Sequence, residues 1–211
     1  AGEVDPDALF LRASIEARLG SLNREQASLG EAGRWWRQSL EDYQDSGRLS
    51  SAGRILANLA VLENEGGRSD RAIDWLSEAI ELHEALDRPA LVAFELYLRA
   101  TVLRQAGEFG PAMDDVLRAM ELFVEFGDIE PGGKDRAWFL HCRGYVAMFA
   151  LFLGEPAVAA QELGALLADE SLSDPRLAAE WQLLEAEALD LSGESDRALV
   201  ALDVARATIE D

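Results

Sequence analysis

The sequence predicts an all-α solenoid of about five helix-turn-helix units, read as a single repeat domain over residues 1–211, and three observations carry that expectation. Ala32, Ala72, Ala112, Ala159 and Ala198 each sit inside an apolar helical pattern, at spacings of 40, 40, 47 and 39 residues. Twelve residues before each alanine stands another small residue (Gly20, Ala60, Ala100, Ala147, Ala186), and four after it a larger one (Trp36, Leu76, Val116, Leu163, Leu202). Small residues at helical spacing mark close helix contacts. Third, hydrophobic residues make up 49% of the 211, with only 6 Pro and few runs of Val, Ile or Thr, so helices are favoured and strands are not expected. A two-helix unit of this length cannot bury its apolar face alone, so neighbours must stack into a continuous core.

The units are expected at about 5–47, 51–87, 90–127, 135–171 and 175–211. The first is the least regular: Leu19-Gly20 fits, but the turn between Asn23 and Gly30 lacks clean glycine punctuation. Its Trp35-Trp36 pair cannot face one core, because neighbours on a helix point about 100° apart. Trp36 takes the packing position, leaving Trp35 exposed or covered by the N-terminal helix. In the second unit Ile55-Leu56, Leu59-Ala60 and Val61-Leu62 recur at helical spacing until Asn64-Glu65-Gly66-Gly67 breaks the pattern. Gly67 can take the left-handed conformation that ends a helix, and Ser69 or Asp70 can cap the next.

The third and fourth units carry proline where the second has serine, in Gly110-Pro111-Ala112 and Glu155-Pro156-Ala157, which suits a first helical turn. The fifth repeats the second: Gly193-Glu194-Ser195-Asp196-Arg197-Ala198 parallels Gly67-Arg68-Ser69-Asp70-Arg71-Ala72. Second helices are expected to end at Gly47, Asp87 and Gly127. The glycine-rich stretch 127–135 coincides with the 47-residue spacing and reads as a longer surface loop, or a hinge.

The pattern of Leu56, Leu59, Ala60, Gly67, Ala72, Leu76 and Ala79 resembles the tetratricopeptide repeat (TPR). Unit three fits it with Leu96, Ala100, Leu103, Gly107, Phe109, Ala112 and Ala119, and unit five with Ala186, Leu189, Gly193, Ala198, Leu202 and Ala205. The aromatic usual near the start of the first helix is missing, and the units exceed the common repeat length. Longer units of this kind are similar to repeats in bacterial signalling regulators and adaptor proteins. The resemblance implies a right-handed superhelical solenoid whose first helices line a concave groove that receives a peptide, helix or partner domain.

On that resemblance the groove residues would be Arg54 and Asn58 in unit two, Phe94, Tyr97, Leu98, Thr101 and Arg104 in unit three, and His141, Tyr145 and Met148 in unit four. Aromatics and methionine supply contact area at modest entropic cost. Arg54, Arg104 and Arg143 can grip carboxylates in bidentate fashion, although acidic neighbours on the chain are the expected partners. Phe94 and Leu98 stand where the carboxylate clamp of some chaperone adaptors would need basic groups, so that clamp is not expected.

Forty acidic residues against 19 basic give a net charge of −21, which repels phosphate backbones, so nucleic acid is not an expected partner. The one cysteine, Cys142, precludes an internal disulfide and gives a reduced, cytoplasmic setting as the expectation. The longest apolar run, Tyr145 to Leu153, is too short to span a bilayer, and no membrane role is expected. Catalytic constellations are thin. His83 and His141 are the only histidines, Cys142 and His141 diverge on one helix, and no phosphate loop or metal-ligand spacing is present, so neither an enzyme nor a cofactor or metal is expected.

The expected function is that of a protein-interaction scaffold binding a peptide or partner domain. The alternative is a sensor or regulatory segment of a larger bacterial signalling regulator or protease. A start at Ala1-Gly2 suggests a fragment. Leu199, Val200, Leu202, Val204 and Ile209 on the last helix present apolar surface through which self-association is possible.

Overall fold

A computed structural model describes residues 5–169, 172 and 175–210, and these form ten α-helices. They fall into two compact units, 1–108 and 109–211. The first holds α1 (Pro6–Glu25), α2 (Leu29–Asp45), α3 (Leu49–Glu65), α4 (Ser69–Ala85) and α5 (Pro89–Gln105). The second holds α6 (Phe109–Phe126), α7 (Arg136–Phe152), α8 (Pro156–Leu167), α9 (Pro175–Leu191) and α10 (Ser195–Glu210). The expected boundary near 171–175 falls partly on residues outside those described.

One turn builds most of the connections. After α1 to α5, α7 and α9, the third residue beyond the helix donates its N–H to the carbonyl five residues back: Ser28 to Asn23, Arg48 to Tyr43, Arg68 to Glu63, Arg88 to His83, Glu108 to Leu103, Glu155 to Ala150 and Glu194 to Leu189, at 2.8–2.9 Å. This closure needs a left-handed residue just before the donor. Gly47, Gly67, Gly107, Gly154 and Gly193 supply it, and Ala27 (φ 58°) and Asp87 (φ 53°) adopt it without glycine's freedom. The turn near Asn23–Gly30 is therefore the same device with alanine in the glycine place.

One sequence expectation is corrected here. Neither Ser69 nor Asp70 caps α4: Ser69 is already helical, the cap position is Arg68, and no side chain bonds there. The tight turn spends only three residues between helices, so the cap falls on the residue that closes the turn. The second helix of the third repeat ends at Phe126, beside Gly127 as expected, although Gly127 lacks the left-handed φ of Gly47 and Asp87. The 127–135 loop is instead held by Asp128 N–H to the Asp135 carboxylate (2.9 Å), Asp135 N–H to the Asp128 carbonyl (3.1 Å) and the Arg136 guanidinium to the Ile129 carbonyl (2.6 Å).

In the first unit each helix packs on the next in sequence, and α3 also touches α5. Its core gathers Trp36, Leu40, Ile55, Leu56, Leu59 and Leu62, with Phe10 and Trp75 packed at the edge. Trp36 is buried, and its indole N–H donates to the Ala17 carbonyl on α1 (3.2 Å). Trp35 is half-buried, with the Arg34 guanidinium 5.2 Å above its ring. The Arg12 guanidinium forks onto the buried Asp42 carboxylate, tying α1 to α2 and holding that carboxyl below its usual range. In the second unit α6 to α10 likewise pack in sequence, and α7 touches α9. Leu140, Ala147, Leu163, Leu166 and Trp181 form one cluster, and an alanine-rich group around Ala159, Ala186, Leu189 and Ala198 forms another.

The small and large repeat positions are buried in every repeat except at Leu202, which is 43% exposed. With Leu199, Val200, Val204 and Ile209 it forms the open apolar face of α10.

Candidate functional site

Helices α1 and α3, the first helices of their repeats, flank a cleft of about 250 Å³ in the first unit. Arg18 from α1 and Arg54, Ser51 and Asn58 from α3 line it, with Ser14, Ser21 and Tyr43 around them. The Ser21 hydroxyl donates to the Ala17 carbonyl (3.1 Å), and the Ser14 hydroxyl donates to the Phe10 carbonyl (2.8 Å) and lies 3.2 Å from the Tyr43 hydroxyl. Arg54 and Asn58 were both expected on such a surface. The acidic partner expected for Arg54 is not there: neither Arg54 nor Arg18 has a carboxylate within ion-pair distance among the described residues. Arg143, in contrast, pairs with Glu162 at 3.0 Å.

On α5 the expected residues divide by burial. Phe94, Leu98, Thr101 and Arg104 are half-buried. Leu98 packs against the cluster of Ala57, Ala60, Leu76 and Val102, and the Thr101 hydroxyl donates to the Tyr97 carbonyl (3.0 Å). Tyr97 is only 6% exposed. It is therefore a packing residue in the free chain, not an accessible anchor, because the α5 register turns it inward beside Leu96.

In the second unit His141, Tyr145 and Met148 are half-buried on α7. His141 meets Trp138 and Trp181 edge-on, with ring centroids 6.0 and 5.8 Å away, while Gly144 lies directly against Trp181. Phe152 is exposed and stacks on Phe109 at 5.1 Å. Cys142 is fully buried, and burial pushes its thiol up to about 12, so no thiolate is available near neutral pH.

A larger concavity of about 630 Å³ lies between α8, α9 and α10, lined by Leu167, Leu189, Val200 and Val204 with Glu185 and Arg197. Burial raises the Glu185 carboxyl above its ordinary value, with Arg197 opposing.

Two features went unseen in the sequence. Arg18 carried no signal, since its partner across the cleft is 36 positions away. His83 and Glu95 form a buried pair between α4 and α5, with Nδ1 2.7 Å from Oε1. The available hint was a glutamate inside the apolar run Val92 to Leu98. Among the described residues no group of three or more His, Cys, Asp or Glu could hold a metal ion, and no helix is long and apolar enough to cross a membrane.

No family model and no curated protein matches this sequence. Solved structures do resemble it. BtubC (BKLC) from P. vanneervenii aligns with a TM-score of 0.77 at 18% identity, over 98% of this chain and 83% of that one. The TPR-like repeats of a putative kinesin light chain from Podosopora anserina align at 0.70 and 15%, over 98% and 97%. The Rap conjugation gene regulator of the plasmid pLS20, solved with the Phr* peptide, aligns at 0.67 and 11%, over 94% of this chain and 53% of that one. At these identities the likeness shows the fold, an all-α helical-repeat solenoid.

Proposed function

We propose that this chain, whose fold is that of TPR-like repeats, is a protein-interaction scaffold that receives a peptide or partner segment on the faces of its first helices. The observation that carries the reading is the cleft between α1 and α3, where Arg18, Arg54 and Asn58 present hydrogen-bonding groups left unused by the protein. An array of helices built by stacking leaves its first-helix faces for contact. The peptide-bound Rap regulator of similar fold supports a peptide as occupant. The charge of −21 argues against a nucleic acid, and the single buried thiol accords with the cytoplasm as the compartment.

The second reading is a sensing or regulatory segment of a larger signalling protein. It is supported by the similarity in fold to the Rap conjugation gene regulator.

The test uses the chain as bait in lysate of its source organism, with two double variants. V61R/T101R alters the half-buried first-helix positions on α3 and α5, and E78R/E81R alters exposed positions on α4. Loss of a partner from the first pair alone supports the reading. Loss from the α4 pair alone, with V61R/T101R unaffected, refutes it.

A further inference from the structure

We propose that copies of this chain meet head to tail, the outer face of α1 in one copy packing on the exposed apolar face of α10 in the next. The inference does not depend on whether a peptide occupies the α1–α3 cleft.

Where the second helix of one repeat packs on the first helix of the next, four sequence positions recur. On the second helix they stand four and eleven places after the repeat alanine, and on the first helix five before and two after its small residue. Between α2 and α3 these are Trp36, Tyr43, Ile55 and Leu62, buried in one cluster. Between α4 and α5 they are Leu76, His83, Glu95 and Val102. Leu76 and Val102 share a cluster, and His83 Nδ1 lies 2.7 Å from Glu95 Oε1. Between α6 and α7 they are Val116, Phe123, Cys142 and Phe149, none more than 3% exposed. Between α8 and α9, Leu163 and Trp181 share a cluster and Ala188 is buried, while the fourth position lies outside the described residues.

The same offsets fall on Leu202 and Ile209 of α10 and on Ile15 and Leu22 of α1. Here all four residues are aliphatic and face solvent: 43% and 67% exposed on α10, 62% and 36% on α1. One helix thus presents the second-helix half of a junction and the other the first-helix half. A second copy supplies the complementary half in the register that the chain already uses. Ile209 then stands against Ile15 where His83 stands against Glu95, and Leu202 beside Leu22 where Leu76 shares a cluster with Val102. Burying aliphatic side chains from both sides is favourable and strands no polar group. Arg18 of α1 takes the place that Leu98 has on α5. The equivalent places on α3 and α7 hold the half-buried Asn58 and Tyr145, so that position accepts a polar tip with its stem packed. Pairing of α10 with α10 would instead join two second-helix halves, which none of these four junctions does.

The two surfaces differ, so each contact leaves one half free at either end, and growth continues past a dimer. The net charge of −21 opposes the meeting of copies. Salt screens that repulsion, the Debye length being about 8 Å at physiological ionic strength, and leaves the apolar contact in place, so added salt is expected to strengthen association. A single helix-on-helix contact belongs with the small interfaces below about 1,200 Å², which are weak, and a dissociation constant on the order of 0.1 mM is expected.

Sedimentation equilibrium up to about 1 mM chain, some tenfold above that constant, tests the contact. The wild type should show a weight-average mass that rises past twice that of one chain. I15R and L202R, both at exposed positions, should each stay monomeric with unchanged helical circular dichroism. An equimolar mixture of the two should form a dimer and nothing larger, because I15R keeps an intact α10 and L202R an intact α1. A wild type that stays monomeric, or that stops at a dimer, overturns the proposal. So does undiminished association of I15R, which would mean α10 pairing with α10, a mixture that remains monomeric, or association that weakens as salt is added.

Discussion

His83 Nδ1 lies 2.7 Å from Glu95 Oε1, and both side chains are closed off from solvent. On its other side His83 Nε2 lies 3.1 Å from the Ser50 carbonyl and 3.4 Å from the Ser50 hydroxyl, so one histidine links α3, α4 and α5. A carbonyl cannot donate, so Nε2 carries a proton, and a second proton must lie between Nδ1 and Glu95. The pair is then net neutral in either tautomer.

Burial, the largest influence on His83, lowers its pKa, but Glu95 and the Ser50 carbonyl together outweigh it and the value is raised, against opposition from Arg54. Burial likewise raises Glu95, with His83 opposing. Above pH 6.5 the unfolded chain carries neutral histidine and ionised glutamate, one proton fewer than the folded pair. This contribution to stability is therefore fully present below about pH 6.5 and is lost as pH rises through the folded value, at up to about 1.4 kcal/mol per pH unit. Urea unfolding at pH 6, 7 and 8 should show falling stability in the wild type and a flatter profile in H83Q. A wild-type profile that is level or rising contradicts the assigned proton.

Gly20 is a packing glycine. A Cβ built there would lie 2.3 Å from Trp36 Cδ1, whereas one at Gly30 in α2 meets nothing within 4 Å. The two alanine variants should move in opposite directions. G30A gains about 0.5–1 kcal/mol in helix propensity, while G20A should lose roughly 1–3 kcal/mol to overpacking. Thermal unfolding decides it, and two shifts of the same sign would deny the close contact.

Ala27 and Asp87 take a left-handed backbone in turns where glycine serves elsewhere. Left-handed geometry costs an L-residue about 1–2 kcal/mol, more than the roughly 0.5–1 kcal/mol that glycine's extra freedom costs in the unfolded chain. A27G and D87G are each expected to stabilise the protein slightly, and G47A to destabilise it. Chemical denaturation at neutral pH reads all three, and a destabilised A27G would show that the turn is not strained.

The helices were legible because their signals are local: a small residue at a fixed offset from a larger one, and glycine or proline at the ends. Ala60 with Leu76 and Gly20 with Trp36 are the same relationship at two sizes, the smaller residue shrinking as its partner grows. What escaped was the turn at Ala27, where the closing bond from Ser28 N–H to the Asn23 carbonyl goes with a left-handed backbone that alanine does not advertise. Of the candidate surface, Arg54 and Asn58 line a cleft, whereas Tyr97 is buried, because a helix face is defined by what packs on it and a sequence does not state the rotation. The cleft shared by Arg18 and Arg54 and the His83–Glu95 pair bring in residues 36 and 12 positions apart on different helices, where no periodicity couples them.

Within each compact unit the helices meet mainly their neighbours along the chain, with α3 on α5 and α7 on α9 reaching one helix further. Contacts of that kind give a low relative contact order, in the range of helical proteins that fold within about microseconds to milliseconds. Little loop-closure entropy precedes each gain in packing, so a hairpin such as α3–α4 can serve as the nucleus and grow outward by one helix at a time.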